Sequence, residues 1–347
     1  MIKQKILIYG GSFDPVHNGH IALLANAKRE IKPNITFVVP SKIPPLKNTK
    51  TNISQVKDRI SMCKILCKKV GGAKILKYEI DFKSKSPSYT YKTIKYIKSK
   101  FKNSKIYLLI GADRYIDFKK WKNYQYILNN TQLVVGNRDN IDNIPEKAII
   151  FLKFKKVHTS SQELQKYPNK KYLPKEIMQY ISNNGLYIEQ QIKPLMSIKR
   201  FEHTLRVKDT AIEIAKSLNY KKLKEVYIAA MYHDVCKEFT DSELIKYAKK
   251  YNKNHFPTIH TLHGLSAANY IKDKFNITNK LILEAIKNHV IPPKKCSKLS
   301  KILYCADKLE PNRTKEDVSN RIKYLKLTKT NINQCFLLLY NEMKRKY

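Results

Sequence analysis

The chain has 347 residues, with Lys+Arg 68 against Asp+Glu 28, a formal charge of +40, 42% hydrophobic residues, one Trp, 14 Pro and 9 Gly. At about 100–200 residues per domain this length predicts two domains, each with its own core, and the apolar content excludes a disordered basic tail. The charge singles out no nucleic-acid surface: residues 1–190 carry +23 and 191–347 carry +17, without a basic tail or stripe, and only 9 of the 68 basic residues are Arg, the residue suited to bidentate phosphate or base contacts.

From residue 1 to about 155, short β-rich apolar runs alternate with helical patterns. The runs predict strands at 5–9, 35–39, 73–80, 105–110, 132–135 and 148–152, with helices at 19–30, 54–70, 89–101 and 114–129 between them. That rhythm implies a doubly wound parallel α/β sheet covered by helices on both faces, with nucleotides expected at the carboxyl ends of the strands. Two short helices follow at 160–166 and 174–183, the second stopping at Asn184-Gly185. Beyond Pro194 no strand run occurs, and helical periodicity covers 197–217, 221–237, 241–251, 260–274, 279–290, 298–308 and 315–345. An all-α second domain is expected, giving domains of 1–191 and 192–347. The six cysteines form no CxxC pair, as small buried thiols of a reducing cytosol would. The amino-terminal apolar run is too short for a signal peptide and no stretch approaches a membrane span, so a soluble, cytoplasmic protein is expected.

Directly after the first strand stands GGSFDPVHNGH, residues 10–20. Gly10 and Gly11 let the backbone approach a ligand, and the helix start that follows offers unpaired amides and a positive dipole end to phosphates. His17 and His20, three apart at that helix start, can donate hydrogen bonds to one anion as charge grows in a transition state. The string resembles the H-x-G-H nucleotidyltransferase signature, and its GG-x-FDP-x-H-x-GH form is similar to bacterial nicotinate-nucleotide adenylyltransferases. The resemblance continues to about residue 187 through PSKIPPLK (40–47), Arg59 and Met62, Pro87-Ser88-Tyr89-Thr90, Gly111-Ala112-Asp113 with Trp121, Asn137-Arg138, and YLP…YISNNGLY (172–187). It implies adenylyl transfer from ATP, with Mg²⁺ on its phosphates, to nicotinate mononucleotide. By this resemblance Gly10, Gly11, Ser12, Phe13, Gly111, Asp113 and Arg138 serve the nucleotide, His17 and His20 its phosphates, and Thr90 and Trp121 the nicotinate end. Ser160 and Ser161 would hydrogen-bond ATP phosphates. Two positions depart from the family: Leu46 replaces a His in the substrate loop, and Gln165 replaces a terminal Arg, losses for which Lys47 could compensate.

In the helical half, His203, His233-Asp234, His263, His289 and Asp307 fall on five segments. His233-Asp234 ends an apolar run, Tyr227–Tyr232, where an unpaired carboxylate is costly and a cation would neutralise it. Six imidazole and carboxylate ligands on facing helices suit two transition-metal ions, Fe or Mn. The arrangement resembles the HD-domain phosphohydrolases, and RFEHTLRV (200–207), MYHDVCK (231–237), LHG (262–264), IKNH (286–289) and YCADKLEPNR (304–313) are similar to the bacterial HD-type hydrolases that cleave diadenosine tetraphosphate to ADP. The resemblance implies that His203, His233, Asp234 and Asp307 hold one metal and His263 and His289 the second, with Asp234 bridging. Lys237 and Arg313 would meet the polyphosphate. Val290 departs from a polar Thr usual after the His. His158, His255 and His260 match nothing. Open alternatives are another phosphorylated acceptor in the first half, a guanosine alarmone or nucleotide monophosphate in the second, and a basic nucleic-acid-binding protein.

Overall fold

The apolar run of the first strand explains the amino-terminal layer arrangement. Ile6, Leu7 and Ile8 are successive residues pointing to opposite faces, and all are buried, so both faces of the strand are covered. A computed structural model describes residues 4–45, 54–81, 87–136, 149–152, 157, 159–250, 258–313 and 318–346. Its strands are β1 (Gln4–Gly11), β2 (Ile35–Pro40), β3 (Ala73–Ile75), β4 (Ser104–Ile110), β5 (Gln132–Gly136) and β6 (Ile149–Leu152). They form one six-stranded sheet in the order β3-β2-β1-β4-β5-β6, with every pairing parallel. The order reverses between β1 and β4, which places the ligand crevice of a doubly wound sheet at their carboxyl ends.

The expected elements hold with five differences: 221–237 is helical only to Tyr232 and 279–290 only to Lys287, which leaves His233, Asp234 and His289 in the turns that follow, and three other patterns break. The run 73–80 pairs with β2 only over Ala73–Ile75; beyond it the Lys77 carbonyl accepts from the Ile80 and Asp81 amides and the chain turns into the short helix Tyr78–Asp81. The pattern at 114–129 breaks into Ala112–Ile116, Phe118–Lys120 and Tyr124–Asn130. Asn123 sits there in the left-handed region, φ 56°, which Asn tolerates and a continuous helix forbids. The long pattern at 315–345 divides into Val318–Thr330 and Ile332–Lys346, because the Asn331 side chain accepts from the Gln334 amide at 3.0 Å and starts a new helix.

The chain divides into two compact units, residues 1–177 and 178–347. The second is all helical among its described residues, and its core joins Val207, Ala211 and Ile214 to Ile228, Ala229, Ile302 and Ala306. Ile188 and Ile192 belong to that same core, so the short helix Ile188–Ile192 packs with the helical unit. Ser197, Thr240 and Ser297 cap helix starts by accepting backbone amides. All six cysteines are free, and Cys63, Cys236, Cys305 and Cys335 are buried. No described helix is long and apolar enough to cross a membrane.

Candidate active sites

In the amino-terminal unit, a cavity of about 350 Å³ opens at the carboxyl ends of β1, β2 and β4, lined by Gly10, Gly11, Ser12, Val39 and Ile110 together with Thr90 and Trp121. His17 is the N-cap of the helix Asn18–Ile31, and both histidines of the motif act as caps: His17 Nδ1 accepts from the Gly19 amide at 3.1 Å, and His20 Nδ1 accepts from the His17 amide at 3.2 Å. An Nδ1 that accepts leaves the proton of a neutral ring on Nε2, so each imidazole keeps one donor beyond the cap. Burial pushes His17 down to about 4, against the opposing influence of Asp113, so it is a neutral donor near pH 7. Gly19 is required by this geometry, since a Cβ there would lie 2.9 Å from the His17 ring.

Beneath the loop, buried Arg59 donates to the carbonyls of Ser12 at 3.1 Å, Ser41 at 2.6 Å, Lys42 at 3.3 Å and Ser54 at 3.1 Å. Gln165 donates to the Asp14 carbonyl at 2.8 Å and its carboxylate at 3.3 Å. The residue that departs from the family thus braces the H-x-G-H loop from below. Ser161 Oγ donates to the Pro15 carbonyl at 3.0 Å, and Ser160 Oγ caps its helix by accepting from the Glu163 amide. Asp113 is exposed just after β4. Phe118 packs against Trp121 with ring centroids 5.2 Å apart, and the Trp121 Nε1 is buried without a hydrogen-bond partner. Glu79, which sequence reasoning missed, also lines the cavity. It accepts from Thr93 at 2.7 Å, and burial raises its carboxyl above the ordinary range. Leu46, Lys47, Asn137, Arg138, His158 and His255 lie outside the described residues.

In the helical unit, the six expected ligands converge. His203 comes from the helix Ile198–Ser217, His233 and Asp234 from the turn after Leu223–Tyr232, His263 from the start of His263–Lys274, His289 from the turn after Lys280–Lys287, and Asp307 from Lys298–Leu309. All six are buried. Ligand atoms of His203, His233 and Asp307 lie within 4.8 Å of one another, as do those of His233, Asp234 and His289. His263 Nε2 is 3.4 Å, and His289 Nε2 3.3 Å, from Asp234 Oδ1.

In neutral rings, the form that ligates a metal, the opposite ring edges decide the proton positions. His233 Nδ1 lies 2.7 Å from the Ala230 carbonyl and His289 Nδ1 2.6 Å from the Ile286 carbonyl. A carbonyl only accepts, so Nδ1 carries the hydrogen and Nε2 presents a lone pair to the carboxylates. His203 Nδ1 is 3.1 Å from Glu310 Oε1, with the same consequence. Nε2 of His203 and of His233 is buried without a hydrogen-bond partner, although Asp307 Oδ1 is only 3.2 and 3.8 Å away. Lone pairs facing carboxylate oxygens repel unless a cation lies among them, so this donor set fits divalent metal.

Charges agree. Burial holds His233 neutral, down to about 4. Burial alone would raise Asp307; instead the Lys308 and Arg313 cations hold it well below the usual carboxylate range. Arg313 donates to Asp307 Oδ1 at 2.6 Å and Arg200 to Asp234 Oδ2 at 2.7 Å. Exposed Lys237 places Nζ 3.4 Å from His263 Nδ1. Val290 is half-buried beside His289.

The Cytidylyltransferase-like family matches residues 8–182 and the HD domain family residues 200–312. A Mycoplasma genitalium protein named probable nicotinate-nucleotide adenylyltransferase/Ap4A hydrolase is 35% identical over 345 residues, covering 97% of both chains. A Mycoplasma pneumoniae protein of the same name is 28% identical over 93% of both chains. A solved structure of Plasmodium falciparum nicotinic acid mononucleotide adenylyltransferase complexed with NaAD is 22% identical, covers 53% of this chain and 97% of that one, and has a TM-score of 0.45. With a match along its whole length and a built site in each half, the chain belongs to the family of two-domain enzymes that join a cytidylyltransferase-like nucleotidyltransferase domain to an HD domain.

Proposed function

We propose that the chain is a bifunctional enzyme. Its amino-terminal half transfers the adenylyl group of ATP to nicotinate mononucleotide, releasing pyrophosphate, and its carboxyl-terminal half hydrolyses diadenosine tetraphosphate to ADP. One observation carries the reading: a relative aligned over nearly the whole chain bears both activities in its name, and each half of this chain contains a site of the matching chemistry.

In the first reaction the phosphate of the mononucleotide attacks the α-phosphorus of ATP in line, so the protein aligns and stabilises charge rather than supplying a nucleophile. Mg²⁺ accompanies the ATP phosphates. His17 and His20 donate from Nε2 to the phosphates, from positions set by the caps at Nδ1. Trp121 offers its ring to the pyridine end, beside Thr90. Gly10, Gly11, Ser12 and Phe13 shape the floor, Asp113, Ser160 and Ser161 serve the nucleotide, and Lys47 and Arg138 complete the set.

In the second, His203, His233, Asp234 and Asp307 would hold one divalent ion and His263 and His289 a second, with Asp234 contributing to both; Fe and Mn suit these donors. Two divalent ions there would supply a lowered pKa for water and offset the charge of phosphate oxygens. Lys237 and Arg313, at the rim, meet the polyphosphate. In this reading the domains are residues 1–191 and 192–347, and the enzyme works in the cytoplasm.

His20→Ala should abolish pyrophosphate release and leave tetraphosphate hydrolysis intact, and Asp234→Ala should do the reverse, each by at least about a hundredfold for a group acting on the reacting phosphates. Loss of both activities from either folded variant overturns the two-site reading.

A further inference from the structure

From the geometry around His203 we infer that Glu310 is the positioning residue for one of the two metal ions, setting the tautomer, orientation and basicity of that ligand. The inference rests on the metal-binding reading above and goes beyond its six ligands. Glu310 lies one helical turn beyond Asp307 and ends the helix Lys298–Leu309. It is only 2% exposed, and three donors fix its carboxylate. Oε1 takes His203 Nδ1 at 3.1 Å, while Oε2 takes Arg206 Nε at 2.7 Å and the Asn312 amide at 2.9 Å. Arg206 comes from the same face of the same helix as His203, three residues on. The Arg206–Glu310–His203 chain therefore ties the helix that carries one ligand to the helix end that carries Asp307.

The other ligand histidines contrast with this one. His233 and His289 give Nδ1 to the main-chain carbonyls of Ala230 and Ile286, acceptors that no side-chain replacement removes and that carry no full charge. His263 has Lys237 near its Nδ1. Of the three whose Nδ1 acceptor is described, His203 alone leans on a carboxylate, and an anion on Nδ1–H makes Nε2 the stronger donor. The ion that His203 helps to hold therefore depends on Glu310, and the ion held by His263 and His289 does not. Sequence reading passed over Glu310 because it lies in none of the ligand positions; its signal is the i, i+3 spacing from Asp307 in YCADKLEPNR.

Calorimetric titration of the metal-free full-length chain with Mn²⁺ tests the inference, with the count and affinity of bound ions as readout. Wild type should take up two ions. Glu310→Gln should weaken one of them by about 10- to 100-fold and leave the other unchanged, and Glu310→Asp, which restores the charge on a shorter arm, should fall between. Equal binding of both ions by wild type and Glu310→Gln overturns the inference and leaves Glu310 as an anchor of the 310–313 turn. Should Glu310→Gln lose its cooperative melt, Arg206→Gln replaces it. That change keeps the carboxylate on His203 but frees its other oxygen, and it should weaken the same single ion several-fold; unchanged binding there also overturns the inference. A wild-type chain that binds fewer than two ions sinks the dimetal reading itself, a separate outcome.

Discussion

His17 joins two duties in one imidazole: it caps a helix through Nδ1 and keeps Nε2–H for a ligand. The unfolded chain binds a proton on this ring near 6.5, the folded chain only at about 4, because burial opposes the charge. Between those values the unfolded state holds more protons, so stability is full above pH 6.5 and is lost as pH falls toward 4, by about 3 kcal/mol from this residue. His17→Asn keeps a capping acceptor but cannot titrate. Urea melts at pH 7.5 and pH 5 should therefore show a smaller acid loss in the variant than in wild type, with similar stability at pH 7.5. Pyrophosphate release should drop by about a hundredfold or more. Equal acid sensitivity of the two proteins would refute the buried neutral assignment. Arg59 shows what sequence reading leaves out: it was matched to its family position, but its contacts with four loop carbonyls exist only once strands β1 and β2 bring residues 12, 41, 42 and 54 together.

Helices and turns carry the second site, and a single glycine sets how closely two of them approach. A Cβ on Gly264 would lie 3.0 Å from the Lys287 carbonyl and 3.2 Å from His289 Nδ1, so the start of His263–Lys274 rests directly on the turn that presents His289. Gly264→Ala should push the two apart, at a cost of about 1–3 kcal/mol for an overpacked contact. It should also weaken the ion bound by His263 and His289 while sparing the one bound by His203. Thermal melts and Mn²⁺ titration check both effects, and a variant with wild-type binding of both ions would show that the approach is not needed. Periodicity located these helices to within a few residues, yet it ran through the breaks at Asn123 and Asn331. Both residues keep the apolar pattern in phase while favouring non-helical backbone or capping.

The division of the chain into two units carries its own prediction. Ile188, only 1% exposed, packs in the helical core. A helical unit produced as residues 178–347 should be more stable than one produced as 192–347 by about 1.5–3 kcal/mol, the burial of the Ile188 side chain. Denaturant unfolding of the two fragments decides it, and equal stabilities would show that Ile188 adds nothing to the helical core. The +40 charge surrounds two sites whose proposed substrates are all polyanions, a field that favours their capture without identifying them. Composition and period were enough to establish two domains, a parallel sheet followed by helices, and the residue types of both sites, because alternation and helical spacing are local properties and the motifs are contiguous strings. Folding alone decided the proton positions of the ligand histidines, the convergence of six ligands from five segments, and the support given by Arg59, Gln165 and Glu310. Those depend on distances between residues far apart in the chain, and a hydrogen bond over such a separation leaves no periodic trace in the sequence.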